Sequence, residues 1–149
     1  MASHDVIRLF DGSEYWVLER PTGPGDAIVM EFRLPDHCAQ PLTHIHPHNV
    51  EVFDVLEGAV EFLVDSEWQT RSAGESVTVP PGEPHTFRNH SGAFAAFRNV
   101  HDPHHDFESY LRKLTALQNE LQMTAPDGPD ATARFAMVVD SYPDLLKPA

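Results

Sequence analysis

The chain has 149 residues, with ten Lys and Arg against 23 Asp and Glu, a formal net charge of −13. That length suits one domain able to bury its own core, and the negative charge repels phosphate backbones and anionic lipid surfaces, which excludes nucleic acid and membranes as expected partners. A single cysteine, Cys38, excludes an intramolecular disulfide.

The first residues, MASHDVIRLFDG, carry neither the basic nor the apolar region of a secretory signal. No apolar run approaches the ~18 residues needed to span a bilayer. A soluble cytoplasmic protein is therefore expected. Turn signals at Asp11-Gly12, Pro21 to Gly25, Pro35-Asp36, Gly58, Ala73-Gly74, Pro80 to Pro84 and Ser91-Gly92 bound segments of about five to eight residues that read as strands. Tyr15 and Trp16 are neighbours on an early strand, so only one can face inward. Ile28, Met30, Phe32 and Leu34 share one parity, as do Val60, Phe62 and Val64. Many short strands without helical interruption predict an antiparallel sandwich or barrel.

Two stretches carry the chemistry. Thr43 to Gly58 reads THIHPHNVEVFDVLEG, and Gly74 to Asn89 reads GESVTVPPGEPHTFRN. His44 and His46 are separated by one residue, so on an extended strand both point to the same face. Glu51 follows after a short connection, and His85 arrives from a second hairpin. Imidazole nitrogens converging with one carboxylate oxygen suit a divalent transition metal.

From about residue 103 the period changes. Phe107, Tyr110, Leu111, Leu114, Leu117 and Leu121 fall at helical spacing, with Glu108, Arg112, Lys113, Gln118 and Glu120 on the other side. This predicts an amphipathic helix, a loop around Pro126 to Pro129, and a second helix capped by Asp130 that ends before Pro143. The expected organisation is a β-barrel over 1–102 and a helical extension over 103–149, in one domain. The extension has to cover something, the barrel wall, the barrel mouth or a second copy, because its apolar stripe would otherwise be exposed.

The two stretches resemble the paired motifs of the cupin superfamily. Nine positions match: His44, His46, Glu51 and Gly58 in the first, and Gly74, Pro80, Gly82, His85 and Asn89 in the second. One departure is visible, Cys38 where the first motif opens with glycine. The resemblance implies a mainly β fold, a cupin-type antiparallel barrel or jelly roll with a C-terminal helical tail. It also implies one divalent transition metal (Fe, Mn, Ni, Co, Cu or Zn) held by His44, His46, Glu51 and His85, and a homodimer. Four protein ligands leave open positions on a six-coordinate metal, the arrangement of a catalytic rather than a structural site.

Parity supplies the surroundings. If Glu51 faces inward, so do Phe53 and Val55; if His85 does, so do Phe87 and Asn89. Phe62 and Phe97 share the apolar parity, so Phe53, Phe62, Phe87 and Phe97 are the expected wall of a substrate pocket. Arg33, Arg88 and Arg98 have outward parity, which disfavours strongly anionic substrates. His48 is expected in a solvated turn, and His101, His104 and His105 in a solvated segment before the tail helix. The resemblance to small quercetin-dioxygenase-like cupins implies an oxygenase acting on an apolar or aromatic molecule with an enol or hydroxyl group, with Glu51 as ligand and base. A metal-dependent isomerase, decarboxylase or polyketide cyclase, and a non-enzymatic small-molecule binding protein, are the alternatives.

Overall fold

Strand alternation builds two antiparallel sheets in the computed structural model, which describes residues 4–123 and 127–149. Ten strands precede the helices: β1 Asp5–Arg8, β2 Glu14–Glu19, β3 Ile28–Leu34, β4 His44–Ile45, β5 Val50–Glu57, β6 Ala59–Val64, β7 Glu67–Ser72, β8 Ser76–Val79, β9 His85–Arg88 and β10 Ala95–Asp102. Helices α1 Phe107–Leu121 and α2 Pro129–Asp140 follow, then a short strand β11, Lys147–Pro148. The six-stranded sheet has the order β1-β2-β3-β10-β5-β8, and the five-stranded sheet β11-β4-β9-β6-β7. Their inner faces meet as a jelly roll.

The core follows the period of two. Ile28, Met30, Phe32 and Leu34 are buried along β3, Phe53 and Val55 along β5, and Val60 and Phe62 along β6. Tyr15 is the inward member of its pair, 4.7 Å from Phe32 between ring centroids. Trp16 lies outside beneath Arg33, and Trp68 likewise beneath Arg88. Arg33, Arg88 and Arg98 all sit outside the barrel interior, the first two paired with Glu31 and Glu61.

The motif residues that are not ligands hold the barrel. Asn89 is fully buried and donates to the carbonyls of Leu34 and Ala93 while its own oxygen accepts from Ser91. Gly58 turns the β5–β6 hairpin at φ +71°, and a Cβ there would lie 2.5 Å from the Phe94 carbonyl oxygen. Gly58→Ala is therefore expected to destabilise by more than about 2 kcal/mol, combining left-handed strain of roughly 1–2 kcal/mol with a backbone clash; urea unfolding measures it. Cys38 needs no glycine, because positive φ in that turn falls on His37 (56°). Its thiol is half-buried against the core, and burial pushes its pKa up to about 11.

The tail shares the same core: Phe107, Leu111, Leu145 and Leu146 pack with the barrel residues. Two details differ from expectation. Gly128 caps α2 and Pro129 opens it, so Asp130 lies within the first turn; proline tolerates the first helical position because its missing N–H has no partner to lose there. Gln118 is buried, because its turn of α1 faces the barrel mouth rather than solvent. Pro126, where the interhelical loop was expected to begin, lies outside the described residues. No helix among them is long and apolar enough to cross a membrane.

Candidate metal centre

Both sheets contribute to one cluster. His44 on β4 is paired directly with His85 on β9, so the five-stranded sheet places two imidazoles side by side. His46 follows one residue after β4. Glu51 comes from β5 in the opposite sheet. One ligand atom from each of these four residues lies within 4.8 Å of the others, and only His44 is partly exposed. The turn between β8 and β9 locks the two motifs together, with the Gly82 amide donating to the His46 carbonyl at 2.9 Å.

Each histidine is oriented through its far nitrogen. His44 Nδ1 donates to the Leu42 carbonyl at 2.6 Å, His46 Nδ1 to Leu145 at 2.7 Å and His85 Nδ1 to Glu83 at 2.9 Å. A proton on Nδ1 leaves a lone pair on Nε2, the tautomer a metal requires. Nε2 of His85 and of His46 then lie 2.8 and 3.2 Å from Glu51 Oε1. Lone pairs facing an anionic oxygen at such distances repel unless a cation or proton stands among them. His46 Nε2 is buried with no hydrogen-bond partner. These residues fit a divalent cation bound by three imidazole nitrogens and one carboxylate oxygen.

Electrostatics favour the ligand form at His44 and Glu51, while without a cation His85 shares a proton with Glu51. Burial, with His85 and His46 nearby, pushes the His44 pKa down to about 3, so its ring is neutral. Burial drives the Glu51 carboxyl upward, but the surrounding histidines, His101 foremost, outweigh it and hold the group well below the usual carboxylate range. For His85, burial opposes charge and the Glu51 carboxylate favours it, with a net rise.

His101 corrects the expectation of a solvated histidine segment. It is fully buried, its Nε2 lies 2.8 Å from Glu51 Oε2, and its ring stacks on Phe107 at 3.7 Å. Asn49 Nδ2 donates to its Nδ1 at 3.2 Å, leaving the ring proton on Nε2, on the Glu51 side. Asn99 Nδ2 donates to the same Glu51 oxygen at 2.7 Å. Glu51 thus presents Oε1 to the three ligand histidines while Oε2 is held by His101 and Asn99. The signal was available: Asn99 and His101 continue the inward parity of Phe97 along β10. His48, by contrast, is exposed. His101→Ala is expected to weaken metal affinity 10–100-fold, the usual cost of losing an outer partner, in a chelator-competition titration; unchanged affinity would reduce His101 to packing.

The four phenylalanines pack against one another in the core. Phe53 meets His85 edge-on at 6.5 Å between centroids. Phe62, Phe87 and Phe97 surround Phe53 at 4.9–6.0 Å, and all four are 0–7 % exposed. A cavity of about 70 Å³ opens instead beside His44, walled by Leu42, Tyr110, Leu114, Phe135, Leu146 and Pro148, with Gln118 adding a polar group. No lysine or arginine lines it. The helical tail therefore stands over the barrel mouth.

Comparison with known proteins agrees with this architecture. The cupin domain family model matches residues 30–100. No curated protein matches the chain. Among solved structures, KdgF from Halomonas sp. is 18% identical over 67% of this chain and 88% of its own, with a TM-score of 0.57. An RmlC-like cupin from Shewanella frigidimarina is 20% identical over 67% and 84%, with a TM-score of 0.57. A sugar phosphate isomerase of the cupin superfamily from Silicibacter pomeroyi is 26% identical over 66% and 68%, with a TM-score of 0.54. The domain match covers just under half of the chain, and these neighbours share its fold.

Proposed function

From a cupin jelly roll with three histidines and a glutamate at its mouth, we propose a metal-dependent enzyme that acts on a small apolar molecule carrying an enol or hydroxyl group, with dioxygen as co-substrate. The observation that carries the reading is the convergence of His44, His46, Glu51 and His85 within 4.8 Å, beside an apolar cavity. A bound divalent metal would supply Lewis acidity and open positions for substrate oxygen and dioxygen. The protein residues do the rest. His44, His46 and His85 arrive with their Nε2 atoms directed inward, each ring held through Nδ1. Glu51 is the anionic ligand, held as a carboxylate by the surrounding histidines, and the candidate base.

The substrate is assigned to the cavity beside His44, while Phe53 backs the ligand His85 and is itself packed by Phe62, Phe87 and Phe97. Apolar walls exclude water and orient the ligand by shape. A phosphorylated sugar does not suit this cavity, since nothing cationic lines it to pair with phosphate. A homodimer, common among cupins, is part of the same proposal.

Acetylacetone, a small chelating enol, is the test probe. Iron-loaded protein is expected to consume oxygen and probe together, and to stop under anaerobic conditions. Turnover that continues without oxygen, or survives replacement of iron by zinc, would favour the second reading: an isomerase, decarboxylase or cyclase using the metal as Lewis acid. That alternative draws support from the isomerase among the structural neighbours.

A further inference from the structure

His46 is oriented differently from the other two ligand histidines. His44 and His85 donate through Nδ1 to carbonyls two residues away, at Leu42 and Glu83. His46 donates to Leu145, 99 positions along the chain. The segment that supplies this carbonyl is built into the barrel mouth. Leu145 and Leu146 are 1 % and 4 % exposed, their amides donate to the Tyr142 carbonyl, and the Tyr142 hydroxyl bonds Ser109 on α1. Beyond them β11 pairs with β4, Lys147 opposite Ile45 and Pro148 opposite His44, and the Ala149 amide donates to the Thr43 carbonyl at 3.1 Å. Without β11, the two-residue strand that carries His44 and leads into His46 would be an unpaired sheet edge.

We propose that residues 145–149 are a positioning strap for the metal ligand His46: the Leu145 carbonyl holds the ring in its ligating tautomer, and β11 braces the strand beneath it. The inference rests on the metal reading above. It makes strap and metal partners in one equilibrium. A cation on His46 Nε2 fixes the ring, the fixed ring keeps Nδ1–H on Leu145, and the docked strap in turn holds the ring for the cation. Linkage requires that each raise the other's stability by the same factor. The strap also walls the cavity with Leu146 and Pro148, so access to the open side of the site is coupled to the same docking.

Three variants test this: a chain ending at Asp144, Leu145→Ala, and Leu145→Met, which keeps the buried volume. Cobalt(II) affinity is measured by chelator competition, the His46 tautomer by long-range nitrogen–proton NMR on metal-free protein, and Ala149 amide exchange with and without cobalt. The shortened chain is expected to bind cobalt 10–100-fold more weakly, the effect of losing an outer partner, and to lose the single Nδ1–H tautomer. Leu145→Met should match the parent and Leu145→Ala should fall between. Cobalt should slow Ala149 exchange in the full chain by a comparable factor. Equal affinity with a retained tautomer in the shortened chain overturns the proposal, as does Ala149 exchange indifferent to cobalt. If the shortened chain fails to fold by circular dichroism, Leu145→Ala against Leu145→Met carries the comparison, and equal cobalt affinity of the two then overturns it. If the full chain binds no cobalt, the metal reading fails, while the tautomer comparison still decides whether the strap orients the ring.

Discussion

His46→Ala is expected to strip the protein of metal: elemental analysis of the parent should show stoichiometric transition metal, and the variant next to none. The loss should exceed the 10–100-fold that removing an outer partner costs, because a donor nitrogen itself disappears. The physical reason lies in the geometry around Glu51. Its Oε1 faces Nε2 of both His46 and His85, and His46 Nε2 has no hydrogen bond to satisfy it. Alanine removes that nitrogen and leaves the Leu145 carbonyl without its donor. His44→Ala is the companion measurement. His44 is the partly exposed ligand at the cavity, so its loss leaves the His46–Leu145 hydrogen bond in place while still taking one ligand. Metal content unchanged in both variants, or absent from the parent, would end the metal assignment and the chemistry built on it.

Phe97→Ala should produce the largest loss of stability outside the site, about 3–5 kcal/mol as for other buried aromatic truncations. The ring is fully buried at the centre of the six-stranded sheet, paired with Phe32 on β3 and Val55 on β5. Its centroid lies 5.0–6.0 Å from those of Phe32, Phe53, Phe62 and Phe87. Aromatic groups at such separations contribute through burial and through edge-to-face geometry. Urea unfolding with a fixed m-value gives the difference directly. A loss below about 1 kcal/mol would mean that the ring borders open space, and would return Phe97 to the substrate wall that its parity first suggested. The expected result makes the cluster the rigid floor beneath His85.

How much of this was legible beforehand depended on the range of the interaction. The ligand set could be read because His44 and His46 share a face by strand periodicity and the turn residues Gly58, Pro80 and Gly82 are local signals. The amphipathic pattern of α1 was readable for the same reason. His101 reads from sequence as part of a solvated segment, although its parity with Phe97 points inward, because its meaning comes from lying opposite Glu51 in the β10–β5 register. Its neighbours His104 and His105, together with Asp102 and Asp106, give the segment a polar, solvent-facing composition. Gln118 looked like a polar-face residue until the helix was docked, since helical spacing defines faces but not which of them meets the barrel.

By itself the sequence determined a β-barrel of alternating strands, a helical tail and four residues able to converge on a cation, since each follows from periodicities and turn chemistry acting over a few residues. Only the tertiary structure decided what surrounds them. Register between distant strands brought His101 and Asn99 onto Glu51, docking of the tail put the cavity beside His44, and the return of residues 145–149 to the barrel mouth supplied the carbonyl that orients His46. Those contacts join segments far apart in the chain, and no local pattern encodes which distant backbone atom a side chain will meet.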